Sequence, residues 1–395
     1  TNISNRNMVA EGKTPFDAYW GPINKNMDHI SFDQNLVNWL INEIETFIEG
    51  ERTIPLCGVQ SYTIHLPLGQ ENTNITWKCS PNLRIISGVN SSAVQIKAVG
   101  SGEAWIYAEA NNLTHSKNLA KFYINITDEG EYENAPLEIS ENTVWNEPYL
   151  LSKHLIINSG EMLTIHNTLY CSPYGKIIIQ PGGKLLIDGG VLTSFCDGEL
   201  WGGIEVHGTP TSSQNAPWSD QGVVILQNDA VIENAVCGIR IGKEINIPVD
   251  LNGTIITIPE DFDEPLSMSI YGGGIVTAEN ASFVNNKQAV NFQSYIYINS
   301  LNNEIDNISE FINCHFTVNN DALFTVKDYE SQVYLHGVKG VSFKGCTFSD
   351  IQTKNSLDDY GIGIYANTAG FRINNNRAMY DLIPYEPTTS YFSGY

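Results

Sequence analysis

Basic residues are scarce in this chain. Its 395 residues include 21 Lys and Arg against 44 Asp and Glu, which gives a formal net charge of -23. An excess of negative charge repels phosphate backbones, so we expect no binding to nucleic acid. The same charge favours a protein that stays soluble outside the cell.

Long apolar runs are absent as well. No stretch approaches the 18 consecutive apolar residues that a membrane-spanning helix requires, so no membrane span is expected. The sequence has no signal-peptide pattern and begins at Thr1 rather than Met. We therefore expect a start that is processed or incompletely represented.

Several motifs of enzyme chemistry are missing. No pair of cysteines has CxxC spacing, no serine lies in GxSxG, and no phosphate-binding loop is present. Zinc ribbons, serine hydrolases and nucleotide-dependent enzymes therefore have no support. The histidines are scattered, and His207 and His336 each precede a glycine, as turn residues do.

A short sequence motif recurs through the second half of the chain. Each copy has a small residue, a variable one, a large apolar one and polar residues that tend to Asn. Repeats of short strands and turns predict a β-helical solenoid, in which each unit buries its apolar face against its neighbours. The copies begin at Ala230, Ala281, Cys314 and Cys346, and a short apolar strand is expected after each, at Cys237–Ile239, Ala289–Phe292, Ala322–Phe324 and Gly361–Ile364.

The predicted solenoid covers residues 144–395. Short apolar runs that end in Gly-rich turns fill it, and its length predicts about eight to ten coils. Residues 243–270 and 293–310 interrupt the rhythm, so we expect them to form loops on one face, where solenoids often bind. The tail offers no polar cap, so we expect the native polypeptide to continue beyond Tyr395.

Residues 1–50 differ from the rest. Ser31 and Gln34 have the spacing of a capping box, and apolar residues follow at helical intervals up to Ile48. We predict an amphipathic helix over 33–48. One helix cannot form its own core, so it needs a docking partner, either the next domain or another protein.

The next segment, residues 51–127, predicts a small antiparallel β domain. Its apolar residues alternate, as in half-buried strands. Six or seven strands in this length are typical of a sandwich, with Trp77 in its core. Residues 128–143 are rich in Asp and Glu and read as an acidic linker. The alternating residues are Tyr62, Ile64 and Leu66, then Ile75, Trp77 and Cys79, then Val94, Ile96 and Ala98, then Phe122, Ile124 and Ile126.

Seven cysteines allow two interpretations. Free cysteines behave as small buried hydrophobes, which fits the equivalent positions of Cys314 and Cys346 in two repeats. In an oxidising compartment disulfides are also possible. By their spacing, the candidate pairs are Cys57 with Cys79 and Cys171 with Cys196. The odd number leaves at least one thiol free.

Several stretches resemble a known group of proteins. Ser159–Ile165, Ile179–Leu185 and Leu200–Gly208 are similar to large secreted right-handed parallel β-helix proteins with a pectate-lyase-like fold, from Gram-negative bacteria that use type IX secretion. The preceding module, with Cys57, Tyr62, Trp77 and Gly100-Ser101-Gly102, looks like the PKD-like immunoglobulin domain that often precedes such helices. The resemblance implies an extracellular or outer-surface location, a right-handed coil and an Ig-like sandwich.

A fainter resemblance concerns the first 50 residues. Ser4–Met8 and Asp28–Gln34 are similar to the end of pappalysin-like zinc peptidases, with Met8 as the Met-turn residue. The zinc-binding H-E-x-x-H motif is not in this sequence, so these residues cannot hydrolyse a substrate alone. The resemblance implies that the chain is the C-terminal part of a peptidase precursor.

Enzymes with parallel β-helices set the pattern for a catalytic search. A polygalacturonase needs paired Asp residues, then Gly-His-Gly, then Arg-Ile-Lys. Here Asp358 and Asp359 precede Arg372-Ile373-Asn374, but no Gly-His-Gly lies between them. These two aspartates remain catalytic candidates, against a simpler interpretation as solvated turn residues. Calcium has one candidate site in the acidic run Glu260, Asp261, Asp263 and Glu264, which lacks the spacing of a known calcium loop.

Aromatic residues supply the binding candidates. Aromatic faces stack on sugar rings, while Asn and Asp bond the hydroxyl groups. We therefore expect a secreted or surface-displayed protein for adhesion or for binding a glycan or another protein, with no catalysis. The alternatives are a polysaccharide-degrading enzyme, a piece of a metallopeptidase precursor, and a structural subunit of an extracellular assembly. The binding candidates are Trp201, Trp218, Tyr271, Tyr295, Tyr297 and Tyr334.

Overall fold

The computed structural model describes residues 46–66, 74–110, 118–127, 135–243, 271–325, 331–352, 361–374 and 391–393. Every regular element in these ranges is a β-strand, so the described chain is all-β. None of its elements is a helix of the length and apolarity needed to cross a membrane. Two structural units follow one another: a two-sheet module and a long solenoid.

The module contains eight strands in two four-stranded sheets. One sheet has the order β1-β3-β6-β5 and the other the order β2-β8-β7-β4. All pairings are antiparallel except that of β2 with β8. The strands are β1 Phe47–Glu49, β2 Thr53–Pro55, β3 Val59–His65, β4 Ile75–Cys79, β5 Leu83–Ser87, β6 Ala93–Ala98, β7 Gly102–Ala110 and β8 Asn118–Thr127.

One hydrophobic core joins the two sheets. All the alternating residues of the sequence prediction belong to it or pack against it, and Trp77 is 2% exposed. The alternation therefore predicted the buried faces correctly. The helix over 33–48 is wrong at its end, because Phe47–Glu49 forms β1 and pairs with β3. In that strand the middle residue, Ile48, is buried and its two neighbours are exposed, which is the alternation of a strand. The start of the predicted helix lies outside the described residues.

The solenoid has three parallel sheets of eight strands each. Sheet 1 consists of β9 Leu137–Ile139, β12 Leu155–Ile157, β15 Ile177–Ile179, β18 Ile204–Val206, β21 Ile239–Ile241, β24 Val290–Phe292, β27 Val333–His336 and β30 Ile364–Asn367. Sheet 2 consists of β10 Thr143–Trp145, β13 Met162–Ile165, β16 Lys184–Asp188, β19 Val223–Gln227, β22 Ile275–Glu279, β25 Glu310–Ile312, β28 Lys339–Lys344 and β31 Gly370–Asn374. Sheet 3 consists of β11 Tyr149–Leu151, β14 Thr168–Cys171, β17 Val191–Ser194, β20 Val231–Glu233, β23 Ser282–Val284, β26 His315–Val318, β29 Thr347–Asp350 and β32 Tyr391–Ser393.

Each coil contributes one strand to each sheet in turn. The strands pair only with the same strand of the coils before and after, so the described residues contain eight coils of a parallel β-helix-type solenoid. One continuous core fills its interior. The first strand is β9, which pairs with β12, so the solenoid begins within the segment that the sequence analysis assigns to an acidic linker.

The sequence repeat corresponds to adjacent strands of sheet 3. Ile232, Phe283, Phe316 and Phe348 occupy the same position in consecutive coils, as their alignment predicts. The rings of the three phenylalanines stack with centroid distances of 4.8 and 4.6 Å. A second stack, 5.0 Å apart, pairs Phe311 with Phe343 in sheet 2. The later coils therefore hold a ladder of aromatic rings in the interior.

Asparagine ends several repeats for a conformational reason. Asn234 and Asn285 have φ angles of 56° and 52°, a left-handed conformation that Asn tolerates better than most residues. Asn286, 2% exposed, donates to the carbonyl of Ile232 in the preceding coil. Of the four apolar strands expected after the repeats, Ala289–Phe292 contains β24 of sheet 1, whereas Cys237–Ile239 and Gly361–Ile364 contribute only their last residues, to β21 and β30. The fourth, Ala322–Phe324, is a loop, and β27 is the sheet 1 strand of that coil.

A disulfide joins the module to the solenoid. It links Cys57 to Cys196, so neither of the two pairs suggested by spacing is formed. Cys171 is fully buried in the solenoid core, and Cys79 lies on β4, where its thiol bonds to the carbonyl of Leu83. The other cysteines of the solenoid, Cys237, Cys314 and Cys346, are free and buried, as the interpretation of stacked inward thiols predicts.

Polar contacts reinforce this junction. Glu199, close to the disulfide, pairs with Arg84 and with Lys97 of the module, the latter at 3.2 Å. Two backbone hydrogen bonds cross the same boundary: Tyr174 to Val99 at 2.9 Å and Ser101 to Ser152 at 3.2 Å. The module is therefore attached to the solenoid by a disulfide, by ion pairs and by backbone hydrogen bonds.

The aromatic ladder gives a test of core packing. Replacing Phe316 with Ala removes a ring that is 0% exposed and stacked on both sides, so the free energy of unfolding should fall by roughly 3–5 kcal/mol. Urea unfolding measures this loss. His315→Ala, an exposed neighbour on the same strand, is the control and should change stability by less than about 0.5 kcal/mol. Equal effects of the two variants would contradict the ladder.

The disulfide gives a second test. It closes a loop between residues 139 positions apart, so replacing both Cys57 and Cys196 with Ala should lower the free energy of unfolding by roughly 2–5 kcal/mol. Guanidinium unfolding under non-reducing conditions measures the change. The control is Cys79→Ala, which removes a free, half-buried thiol. A reducing agent should leave the stability of the double variant unchanged, because that variant lacks the bond. If reduction lowers its stability, another disulfide is responsible.

Candidate functional site

The outer face of sheet 1 carries a row of polar and aromatic residues. We call Glu205, Arg240, Asn291, Tyr334 and Tyr365 the outer row. They are in register in β18, β21, β24, β27 and β30. In the first four of these strands the residues on both sides are at most 1% exposed and belong to the core, so alternation directs the outer row away from the interior.

One end of the row is charged and covered. Glu205 is 5% exposed and accepts a hydrogen bond from Nζ of Lys176 at 2.8 Å. Its other carboxylate oxygen lies 3.4 Å from Nε2 of His207, which is 6% exposed. The ring of Tyr271 packs against His207 with centroids 4.8 Å apart. The backbone before Glu205 is also crowded, because a Cβ on Gly203 would lie 1.7 Å from the carbonyl oxygen of Cys237.

These contacts set the charge of Glu205. Burial raises the pKa of its carboxyl group, but the hydrogen bond to His207 and the charge of Lys176 outweigh burial and lower the pKa to about 2. His154, near Lys176, has a lowered pKa because of burial and the Lys176 charge. At neutral pH Glu205 is therefore an ionised carboxylate, held in place by its partners.

The other end of the row is aromatic and open. Tyr334 and Tyr365 stack with ring centroids 5.6 Å apart, and Tyr365 is 44% exposed. Between this pair and the charged end lies an amide network, in which Asn291 donates to Gln288 and Gln293 donates to Asn291, both at 2.5 Å. Glu205 and Asn291 are 5% and 6% exposed, and Tyr365 is the most exposed residue of the row.

Three loops border the row at one corner of the solenoid. Their described parts lie between sheets 1 and 2 in three consecutive coils, at residues 207–222, at 242–243 with 271–274, and at 293–309. Gln214, 3% exposed, connects all three, since its side chain donates to the carbonyl of Gly273 and accepts from the amide of Ile308. The described part of 293–310 thus forms a corner loop as expected, whereas most of 243–270 lies outside the described residues.

The structure separates the predicted aromatic residues into two groups. Tyr334 lies in the outer row, and Tyr271 and Trp218 lie on the corner loops, where Trp218 is half-buried beside the Lys184 ammonium. Trp201 and Tyr295 are 0% and 2% exposed, so they are packing residues rather than contact residues. Tyr297 packs partly buried against the same core. The accessible candidates are therefore Tyr334, Tyr271 and Trp218.

Other predicted residues cannot be placed. The calcium candidates Glu260, Asp261, Asp263 and Glu264 lie outside the described residues, and so do the catalytic candidates Asp358 and Asp359. Within the described ranges, no three His, Cys, Asp or Glu side chains converge in a way that would hold a metal ion.

Sequence reasoning missed most of the outer row. Glu205, Arg240 and Asn291 each occupy the middle of a three-residue strand, between residues that face the core, and Tyr365 follows Ile364, which packs against the core. That context is a usable signal: a polar or aromatic residue between two apolar ones, recurring once per coil. Their chemical types differ, so they do not stand out as a repeat.

The chemistry of the row suits binding better than hydrolysis. Glycoside hydrolysis uses two carboxyl groups on opposite sides of the bond, one of them protonated. The outer row contains the single carboxylate Glu205, which is ionised and almost covered. The stacked rings of Tyr334 and Tyr365 instead offer an apolar face, next to the amides of Asn291 and Gln293, which are 6% and 9% exposed.

The charged end predicts a pH dependence. The pKa of Glu205 is lower in the folded chain, so its contribution to stability is complete above pH 4.5 and is lost as the pH falls towards 2. A shift of this size corresponds to roughly 3 kcal/mol. Glu205→Gln should flatten the stability curve in this window, as measured by denaturant unfolding at each pH. Glu138→Gln, an exposed carboxylate of sheet 1, is the control, and a similar flattening in it would contradict the prediction.

Comparison with known proteins adds no assignment. No protein-family model, no curated protein and no solved structure matches the chain. The outer row and its bordering loops are therefore the features from which a function can be inferred.

Proposed function

We propose that this chain is a secreted or cell-surface protein whose solenoid binds an extracellular glycan along the open end of the outer row. The observation that carries the proposal is the stacked pair Tyr334 and Tyr365 beside the amides of Asn291 and Gln293. Aromatic rings supply an apolar surface for the C–H groups of a sugar. Amide groups both donate and accept, as sugar hydroxyl groups require.

The in-register coils support an extended ligand. Each outer-row residue is one strand spacing, about 4.8 Å, from the next, so similar contact positions recur along the solenoid axis. A linear glycan likewise presents similar groups at every sugar unit. His336, two residues after Tyr334 on the same strand, lies parallel to it with ring centroids 6.3 Å apart and adds a third ring to this end of the row.

The proposed location follows from the disulfide and the charge. Disulfides persist in oxidising environments such as the cell exterior, and the net charge of -23 favours solubility there. We also propose that the module is an Ig-like domain and that the solenoid coils are right-handed, as strand crossovers in parallel sheets usually are. The module then holds the solenoid away from the cell surface, and the role is adhesion without catalysis.

Replacing the exposed tyrosine tests this function. Wild-type protein should be retained by at least one member of a panel of immobilised extracellular polysaccharides, measured by affinity electrophoresis. Tyr365→Ala should weaken that retention about tenfold, because it removes the open ring of the stacked pair. The effect is a loss of binding without a loss of fold, checked by thermal unfolding.

The matched control is Tyr170→Ala. Tyr170 is 40% exposed, close to the 44% of Tyr365, but it lies on sheet 3. It should leave retention unchanged. No retention by any polysaccharide, or equal weakening by the two variants, would reject the outer row as a glycan site.

A further inference from the structure

A cleft lies where the module meets the solenoid. It has a volume of about 320 Å³, at the lower end of the range for small-ligand pockets, which often occur between domains. Trp105, Tyr123 and the carboxylate Glu103 line it from the module, and Lys153 and Tyr174 line it from the solenoid. It is separate from the outer row, and the sequence analysis assigns no role to its aromatic residues.

Both walls of the cleft are held in place. Ser80, at the edge of the module wall, exchanges hydrogen bonds with the backbone of Trp105 at 2.9 and 3.0 Å. Tyr174 stacks on His154 at 4.4 Å and packs so closely on Gly100 that a Cβ there would lie 2.7 Å from it. The disulfide and the backbone hydrogen bonds of the junction fix one wall relative to the other. A ligand would therefore meet a site that is already formed, which lowers the cost of binding.

Two rings of the module wall lie beside a positive charge, that of Lys121, which is at the margin of the cleft and not among the residues that line it. Trp105 and Tyr123 are opposite each other on β7 and β8 and point outward, because their neighbours in both strands are buried. The ammonium group of Lys121 lies 4.9 Å from the Trp105 ring centre and 5.0 Å from that of Tyr123. Among the described residues, no carboxylate forms an ion pair with Lys121.

This arrangement selects the chemistry of a ligand. The rings suit the apolar face of a pyranose, and a cation placed over them suits a carboxylate on the same sugar. In a chain of net charge -23, the exposed ammonium of Lys121, which contacts the two rings and has no ion pair among the described residues, is a locally positive point. The small volume admits a short segment rather than a long stretch of polymer.

We propose that this cleft is a second glycan site, specific for a sugar that carries a carboxylate, such as a hexuronate unit. Trp105 and Tyr123 form the stacking surface, and Lys121 pairs with the carboxylate. The module is then a binding domain in its own right as well as a spacer. The site does not depend on the outer row of the solenoid.

A pair of matched trisaccharides tests the proposal on the full chain. Isothermal titration should show binding of a β-1,4-linked glucuronate trimer, and cellotriose, which has the same linkage but no carboxylates, should bind at least about tenfold more weakly. Lys121→Gln keeps most of the side-chain stem and should weaken binding of the uronate about tenfold, to the level of cellotriose. Trp105→Ala should abolish binding of both trimers.

Controls separate this site from other causes. Lys78→Gln removes another ammonium from the same sheet face, one already paired with Glu109 at 2.9 Å, and should leave binding unchanged. Tyr365→Ala should also leave binding of the trimer unchanged, so that failure of the outer row and failure of this cleft give different results. Trp105→Phe, which retains a ring, serves if Trp105→Ala does not fold, and it should bind more weakly than wild type.

The proposal is overturned by any of three results. Wild-type protein that binds neither trimer has no such site. Equal affinity for the two trimers would mean that Lys121 does not bind the carboxylate of the sugar. Unchanged uronate binding in Lys121→Gln, or equal weakening in Lys78→Gln, would place the ligand elsewhere.

Discussion

Hydrogen bonding between consecutive coils is the interaction on which the whole solenoid depends. Each strand finds its backbone partners in the coil before and the coil after, never within its own coil. A single coil therefore satisfies none of its own strand hydrogen bonds and buries little apolar surface alone. Stacking satisfies both requirements at once, and it places side chains of equivalent positions directly above one another. The phenylalanine ladder of Phe283, Phe316 and Phe348 is the inward result of that geometry.

The same registration acts on the outward side. Because the inward residues of sheet 1 are fixed by the core, the residue between them has to face out in every coil. The backbone thus provides a row of regularly spaced positions, and the side chains decide the chemistry of the row. Insertions at one corner in three consecutive coils leave the row intact and border it with loops, which Gln214 holds together. The scaffold and the candidate recognition surface therefore follow from one constraint.

Local pattern predicted more of this structure than it predicted of the site. Period-two alternation identified the module core, and the alignment of Ile232 with Phe283 gave the correct register of sheet 3. The link between Cys57 and Cys196 could not be predicted, because their proximity depends on how the module docks on the third coil. Phe47 and Ile48 fit helical spacing, but pairing with β3 decided their conformation. Trp201 looked like a contact residue because aromatic type alone does not reveal burial.

The disulfide at the junction also determines how the molecule would respond to a pulling force. It joins residues 139 positions apart, so tension applied at the two ends would pass from the module straight into the third coil. The chain between Cys57 and Cys196, with an extended length of about 460 Å, would carry none of that tension. Coils beyond the link would have to unravel first. The attachment of the solenoid to the module would then outlast the far end of the solenoid.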